Sequence, residues 1–248
     1  MPFTFSHPAI AIPLLKLKYK FSITALVIGS LVPDFEYIFQ MQFVDNLGHH
    51  LKGIFLFDLP AGILLCYFFH YIIRNAFITH LPSSIYKYFS GYISFSWNDH
   101  VLKNKMNILI SLLIGIVSHL LWDSFTHYDG GIVLMFEPLK ENVNLFLFQI
   151  PVYILLQLIS SFIGLAFIAQ FIYSKKDKSE VKINTGYNIN YWILFLLFFL
   201  IILVFRIVIS KYQVSLWDVL LFIIGSLSYA LIITSLLFFK ANKNIIQE

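Results

Sequence analysis

The run "YWILFLLFFLIILVFRIVIS", residues 191–210, contains a single charged side chain, Arg206. A helix needs about 20 apolar residues to cross the ~30 Å hydrocarbon layer of a bilayer, so a run like this commits its chain to a membrane. Four further stretches meet the same condition, at 53–73, 106–127, 145–173 and 216–240. The composition agrees: 59% hydrophobic and 12% charged residues leave too little polar surface to solvate a globule. No series of ~10-residue alternating segments suggests an outer-membrane barrel. The expected fold is all-α, a polytopic helical membrane bundle of about five full transmembrane helices plus a shorter N-terminal helical hairpin.

That hairpin is read from residues 8–17 and 21–39, which flank the basic turn "KLKYK". Ten residues at 1.5 Å each reach only about halfway across a bilayer. The second arm is interrupted at "GSLVPDFEY", where Pro33 lacks an N–H and Gly29 lowers helix propensity. The chain is expected to form a single domain overall, with 1–173 as the membrane domain carrying the polar site, 174–189 as a cytoplasmic polar loop and 190–248 as a terminal transmembrane hairpin. The start lacks the basic region, apolar core and cleavage site of a signal peptide, so Met1 is expected to be retained.

The net charge of +4 does not point to nucleic acid, because the Lys and Arg residues are scattered through short loops between apolar runs. They concentrate at "SKKDKSEVK", in the 74–105 connection and at "KANKN", whereas 129–141 is acidic. The positive-inside bias then places these basic loops and the C-terminus in the cytoplasm, and brings every polar motif considered below to the outer face. Cys66 is the only cysteine, which excludes a disulfide framework and a thiolate metal site.

Against this apolar background, "SHLLWDSFTH" is anomalous. His119, Asp123 and His127 are spaced by four and form one stripe on a helix. Imidazole and carboxylate on adjacent turns make a metal-binding fragment suited to Zn²⁺ and related ions. The alternative is a hydrogen-bonded pair acting as interhelical glue. Ionisable groups at membrane depth otherwise mark function.

Asp34 in "GSLVPD" is a second fragment, with Gly29 and Ser30 permitting close helix approach. Glu36 is expected to face water. "GHH" places His49 and His50 in a short loop before the 53–73 helix, and His7 opens the first arm behind Ser6. Asp58 lies inside the 53–73 helix, followed by Pro60 and Gly62, and either orients a ligand histidine or holds a kink. His70, His80 and His100 fall toward the opposite end and are set aside.

The stretches "MPFTFSHPAIAIPL", "ALVIGSLVPDFEY", "HHLKGIFLFDLPAG", "GIVSHLLWDSFTH" and "QIPVYILLQLISS" resemble, in order and spacing, a bacterial integral membrane family known as domain of unknown function 4184, over residues 1 to about 170. More distantly, the order His, Pro-Asp, loop His and H-x-x-x-D is similar to the YdjM-like membrane-bound metal-dependent hydrolases. Carried over, that similarity implies metal ligands at His7, Asp34, His49, His119 and Asp123, with His127 added by the closer family. His50, Asp58 and Gln157 would support them. Leu158 stands where the closer family has a His beside the Gln, so Gln157 would act alone.

The distant similarity implies a metal-dependent hydrolase of the bacterial cytoplasmic membrane with one or two divalent ions, zinc first among them. Because the polar motifs are expected to open at the headgroup level of the outer face, a membrane lipid or lipid-linked phosphoester is the expected substrate class. A bound ion would acidify water and polarise the scissile group, and Asp34, Asp123 and His127 would carry protons. The competing reading is non-enzymatic: a small transporter or scaffold whose His/Asp cluster is a proton relay or hydrogen-bonded network. No nucleic-acid partner is expected, and the sequence leaves the oligomeric state open.

Overall fold

The computed structural model describes residues 4–17, 19, 21–43, 47–145, 148–174, 186–210 and 214–245. Residues 175–185, which carry most of the basic 174–182 loop, lie outside them. In chain order the main elements are α1 (Thr4–Lys16, of 3-10 geometry), α2 (Ile23–Gly29), α3 (Phe35–Gln40), α4 (Leu51–Thr79), α5 (Trp97–Thr126), β1 (Asn142–Leu145), β2 (Phe148–Pro151), α6 (Val152–Ser174), α7 (Ile189–Ile209) and α8 (Leu216–Ile245). Among the described residues, α4 to α8 are five helices long and apolar enough to cross a membrane. The protein is therefore an all-α, multi-pass membrane bundle with a short helix before the spans.

Several local details differ from the sequence reading. The first arm winds as a 3-10 helix of 13 residues containing Pro8 and Pro13. Two prolines remove two N–H donors from any α pattern, and at about 2.0 Å per residue the segment reaches about 26 Å, further than an α-helix of equal length. The helix expected over 145–173 starts only at Val152. Before it, Asn142, Asn144 and Gln149 alternate with apolar residues, a period of two that pairs β1 with β2 instead. The helix expected from 106 begins at Trp97 and passes a distorted residue at Asn104 (φ −134°, ψ 30°). Pro60 does not break α4. Residues Ile54–Asp58 form a π turn in which the Leu59 N–H reaches back to the Ile54 carbonyl, and this widened turn accommodates the missing donor.

The chain divides into two compact units. The first comprises Met1–Asp34, Leu47–Ile63 and His100–Ser174. In it α1 packs against α2 and α6, with Leu26, Val32, Leu112 and Ile116 forming its buried centre. Gly164 of α6 lies against Ser6, where an added Cβ would sit 3.0 Å from the Ser6 carbonyl oxygen. Small residues at such contacts let membrane helices approach closely.

The second unit comprises Phe35–Asn46, Leu64–Asp99 and Lys175–Glu248. Here α7 and α8 pack together, and α7 leaves Leu196, Leu200, Val204 and Val208 exposed at four-residue spacing, an apolar face suited to lipid. Arg206, His70, Arg74 and His80 have structural partners there. Arg206 donates to the Met41 carbonyl at 2.9 Å and lies over the Phe222 ring. His70 stacks on Trp97 and meets Arg74 at 2.8 Å, while Arg74 also donates to the Phe95 carbonyl. The His80 ring stacks on Tyr191, and the His80 carbonyl accepts from Trp192.

Candidate metal centre

The site begins where α2 crosses α5 inside the first unit. A Cβ added at Gly29 would lie 2.4 Å from the Leu112 carbonyl oxygen, and one at Gly115 would lie 2.6 Å from that of Leu26. The two backbones therefore touch, an approach open only to glycine at both positions. One turn beyond Gly115 stands His119, fully buried. Its Nδ1 lies 2.8 Å from the Ser30 carbonyl just after the end of α2. A carbonyl only accepts, so Nδ1 carries the proton and Nε2 is left as the free electron pair.

Asp34 follows from the same crossing. The chain turns through Val32–Asp34 as a short 3-10 segment, with the Asp34 N–H bonded to the Leu31 carbonyl at 3.1 Å. The Thr4 hydroxyl of α1 donates to Asp34 Oδ2 at 2.6 Å. One carboxylate oxygen is thereby engaged, and Oδ1 is aimed at the His119 side.

The third contributor is the loop before α4. A Cβ on Gly48 would come within 2.8 Å of the Pro33 carbonyl oxygen and 3.0 Å of Asp58 Oδ1, so this glycine lets the loop seat directly against Asp58 and the turn that carries Asp34. His49, the next residue, swings its Nε2 to 3.5 Å from Asp34 Oδ1 and 3.4 Å from Asp123 Oδ2. His119 Nε2 stands 3.6 Å and 3.3 Å from the same two oxygens.

Asp34, His49, His119 and Asp123 thus present four donor atoms within 4.8 Å of one another. Each imidazole nitrogen faces both carboxylates at 3.3–3.6 Å, longer than a good N–H···O bond. Asp34 Oδ1, His119 Nε2 and both Asp123 oxygens are buried and make no hydrogen bond among the described residues, a costly arrangement away from water. Two ligands held about 2.0–2.1 Å from one ion in tetrahedral array would be about 3.3–3.4 Å apart. The four imidazole–carboxylate spacings, 3.3–3.6 Å, lie at or slightly above that value, within a group that spreads to 4.8 Å. Charge agrees as well, because two carboxylates and two neutral imidazoles balance one divalent cation. The donor set can therefore hold a metal ion.

Asp123 has a second side. Its Oδ1 lies 3.4 Å from His7 Nε2 and 3.6 Å from His127 Nδ1. His7 is buried, stacks on His119 with ring centroids 4.0 Å apart, meets the edge of Trp122, and has no hydrogen bond at either ring nitrogen among the described residues. Trp122 is in turn tied to α6 through the Ser160 hydroxyl. His127 Nδ1 lies 3.1 Å from the Asp123 carbonyl, which leaves its Nε2 basic and its ring partly exposed.

The five ligands carried over from the resemblance therefore converge in one unit, four in a single group and His7 on the other oxygen of Asp123. Of the supporting residues, Asp58 is buried beneath the Gly48 turn, and Gln157 is buried on α6 one turn before Ser161. The His50 side chain is exposed, and its backbone carbonyl accepts from Gly53 at the start of α4. Three contributors escaped the sequence reading: Thr4, the Ser30 carbonyl and Gly115. Gly115, four residues before His119, was the one readable signal among them.

No curated protein and no solved structure matches this chain. The family described as Domain of unknown function (DUF4184) matches residues 1–236, a stretch that takes in every residue of the metal centre and most of the second unit. The chain belongs to that family.

Proposed function

We propose that the protein is a metal-dependent hydrolase of the bacterial cytoplasmic membrane that cleaves a lipid or lipid-linked phosphoester. The observation that carries this reading is the separation of the four donor atoms. A structural or relay network would draw its donors and acceptors to about 2.7–3.0 Å, whereas these imidazole and carboxylate atoms stand at 3.3–3.6 Å, and Asp34 Oδ1, His119 Nε2 and both Asp123 oxygens are buried with no hydrogen bond among the described residues.

Asp34, His49, His119 and Asp123 would hold the cation, and imidazole with carboxylate and no thiolate suits zinc. Such a cation lowers the pKa of water and polarises a phosphoryl or carbonyl oxygen. The Ser30 carbonyl and the Thr4 hydroxyl fix the orientation of His119 and Asp34. His49, with 24% of its side chain exposed, forms the open side, where a substrate group can arrive. Asp123 Oδ1 and His7 Nε2 can hold a proton beside the group, and His127 Nε2 can pass it outward. The setting supports the substrate class, since His119 and Asp123 sit on a helix apolar enough to span the bilayer and Asp34 and His49 come from a turn and a loop packed beside it. The basic loops favour a cytoplasmic C-terminus, which puts the site on the outer side.

The test is phosphate-ester turnover by detergent-purified protein presented with phospholipid and lipid-phosphate micelles. Activity that is abolished by a chelator, restored by zinc or manganese and missing from His119→Ala supports the reading. Turnover indifferent to both treatments overturns it.

A further inference from the structure

The segment joining α5 to α6 exposes large apolar side chains beside its charged ones, Asp129, Glu137, Lys140 and Glu141. After His127 the chain folds back on the ligand-bearing turn. The Gly130 N–H bonds to the His127 carbonyl at 3.0 Å, and a Cβ at Gly130 would come within 2.8 Å of the Asp123 carbonyl oxygen. A short helix, Gly131–Met135, is anchored by buried Val133 but leaves Leu134, Met135 and Phe136 exposed, Met135 at 87%. Then come β1 and β2, closed at their base by the Val152 N–H on the Glu141 carbonyl.

The strand register makes this hairpin two-faced. Val143 pairs with Ile150 and Leu145 with Phe148, while Asn142 pairs with Pro151 and Asn144 with Gln149. Directly opposed residues share a face and successive residues alternate. Val143, Leu145, Phe148 and Ile150 therefore form an apolar face, and Asn142, Asn144 and Gln149 lie on the polar one. Val143, Leu145 and Phe148 are exposed, Phe148 at 69%.

We propose that this segment is an interfacial element that lays Leu134–Phe136 and the apolar face of the β-hairpin into the headgroup–acyl boundary of the membrane that α5 and α6 span. Three observations select lipid as the occupant. Both ends of the segment are fixed to helices apolar enough to span the membrane, which holds it near the bilayer surface. Tyr128 and Tyr153, one at each end, pack together with ring centroids 6.3 Å apart, and tyrosine marks the headgroup level. Exposed apolar side chains resume on α6 at Leu156, Ile159 and Ile163, on a helix apolar enough to present them to lipid. An amphipathic element of this kind lies in the interface plane with its polar side toward water. The inference does not require a bound ion, so it stands or falls apart from the hydrolase reading. Where both hold, the turn carrying Asp123 and His127 is overlaid by a lipid-immersed element, and a substrate with an acyl chain can approach from within the membrane.

The test uses the full-length protein with the buried Cys66 replaced, Cys66→Ala, and a nitroxide attached at Val143→Cys, Phe148→Cys, Asn144→Cys or Gln149→Cys, one at a time. Leu145→Cys substitutes for any apolar-face variant that fails to purify. The protein is reconstituted into vesicles of phosphatidylethanolamine and phosphatidylglycerol, and collisions with oxygen are compared with those of a water-soluble nickel chelate. The proposal expects oxygen to dominate at 143 and 148 and the nickel chelate at 144 and 149. Nickel-dominated collisions at all four positions place the hairpin in water and overturn it. Labels at 143 and 148 screened from both probes reveal a protein surface there, such as a second copy of the chain, and overturn it as well.

Discussion

His119 Nδ1 donates to the Ser30 carbonyl at 2.8 Å, joining positions 89 residues apart. This bond decides which nitrogen of His119 faces the two carboxylates, and it exists because the backbones of α2 and α5 touch at Gly29 and Gly115. Orientation of a ligand by its second nitrogen is a general feature of metal-binding histidines.

The helix contact itself is therefore the first thing to perturb. In Gly115→Ala the new methyl would meet the Leu26 carbonyl oxygen at 2.6 Å and the Ser30 N at 2.7 Å. These are backbone atoms on a helix that cannot give way without moving Ser30. The expected loss is about 1–3 kcal/mol of stability, together with weaker metal binding. Thermal unfolding in detergent and a metal titration check both.

The Thr4 hydroxyl is the only described group bonded to Asp34 Oδ2, at 2.6 Å. Thr4→Val keeps the shape and removes the donor. It should weaken metal affinity about 10–100-fold, and Thr4→Ser should recover most of the loss. Competition with a chromophoric chelator measures this, and equal affinity for all three proteins would deny Thr4 a positioning role.

Adjacent histidines should behave differently. His49 Nε2 belongs to the four-donor group, whereas the His50 side chain is exposed outside it. His49→Ala is expected to lower metal affinity by more than tenfold and His50→Ala to leave it within a factor of about two, because the His50 ring is exposed and outside the four-donor group. A reversed order would mean that the loop presents the other ring.

His80 tests the separation of histidine roles. It belongs to the second unit, stacks on Tyr191 with ring centroids 4.5 Å apart, and lies with Nδ1 2.6 Å from the Ala76 carbonyl. Replacing it by Ala removes a buried stacked ring and a hydrogen bond, for an expected cost of about 1–3 kcal/mol. Metal content should stay at the wild-type level, as read by elemental analysis beside a melting curve.

The sequence shows which parts of such a site can be read without coordinates. The stripe of His119 and Asp123 follows from helical periodicity alone, and the five apolar runs follow from the thickness of a bilayer. Asp34 and His49 were readable as polar residues with no other reason to sit beside apolar helices. The Ser30 contribution was hidden because a carbonyl oxygen belongs to every residue and leaves no mark in a sequence. Thr4 was hidden because its partner lies 30 residues away across a chain reversal. The β-hairpin was mistaken for helix because "NLFLFQIP" is apolar enough to extend the neighbouring span, and only the placement of Asn142, Asn144 and Gln149 betrays the shorter period. His49 and His50 could not be told apart, since the choice depends on how Gly48 seats the loop against Pro33 and Asp58.

The central claim is that Asp34, His49, His119 and Asp123 hold a divalent metal ion. Elemental analysis of detergent-purified wild-type protein beside His119→Ala tests it most directly. The account predicts near-stoichiometric zinc or a related divalent metal in the wild type and its loss in a variant that still folds. A folded wild type that holds no metal after reconstitution with zinc, manganese or iron would contradict it, and the His/Asp cluster would then be a hydrogen-bonded network instead.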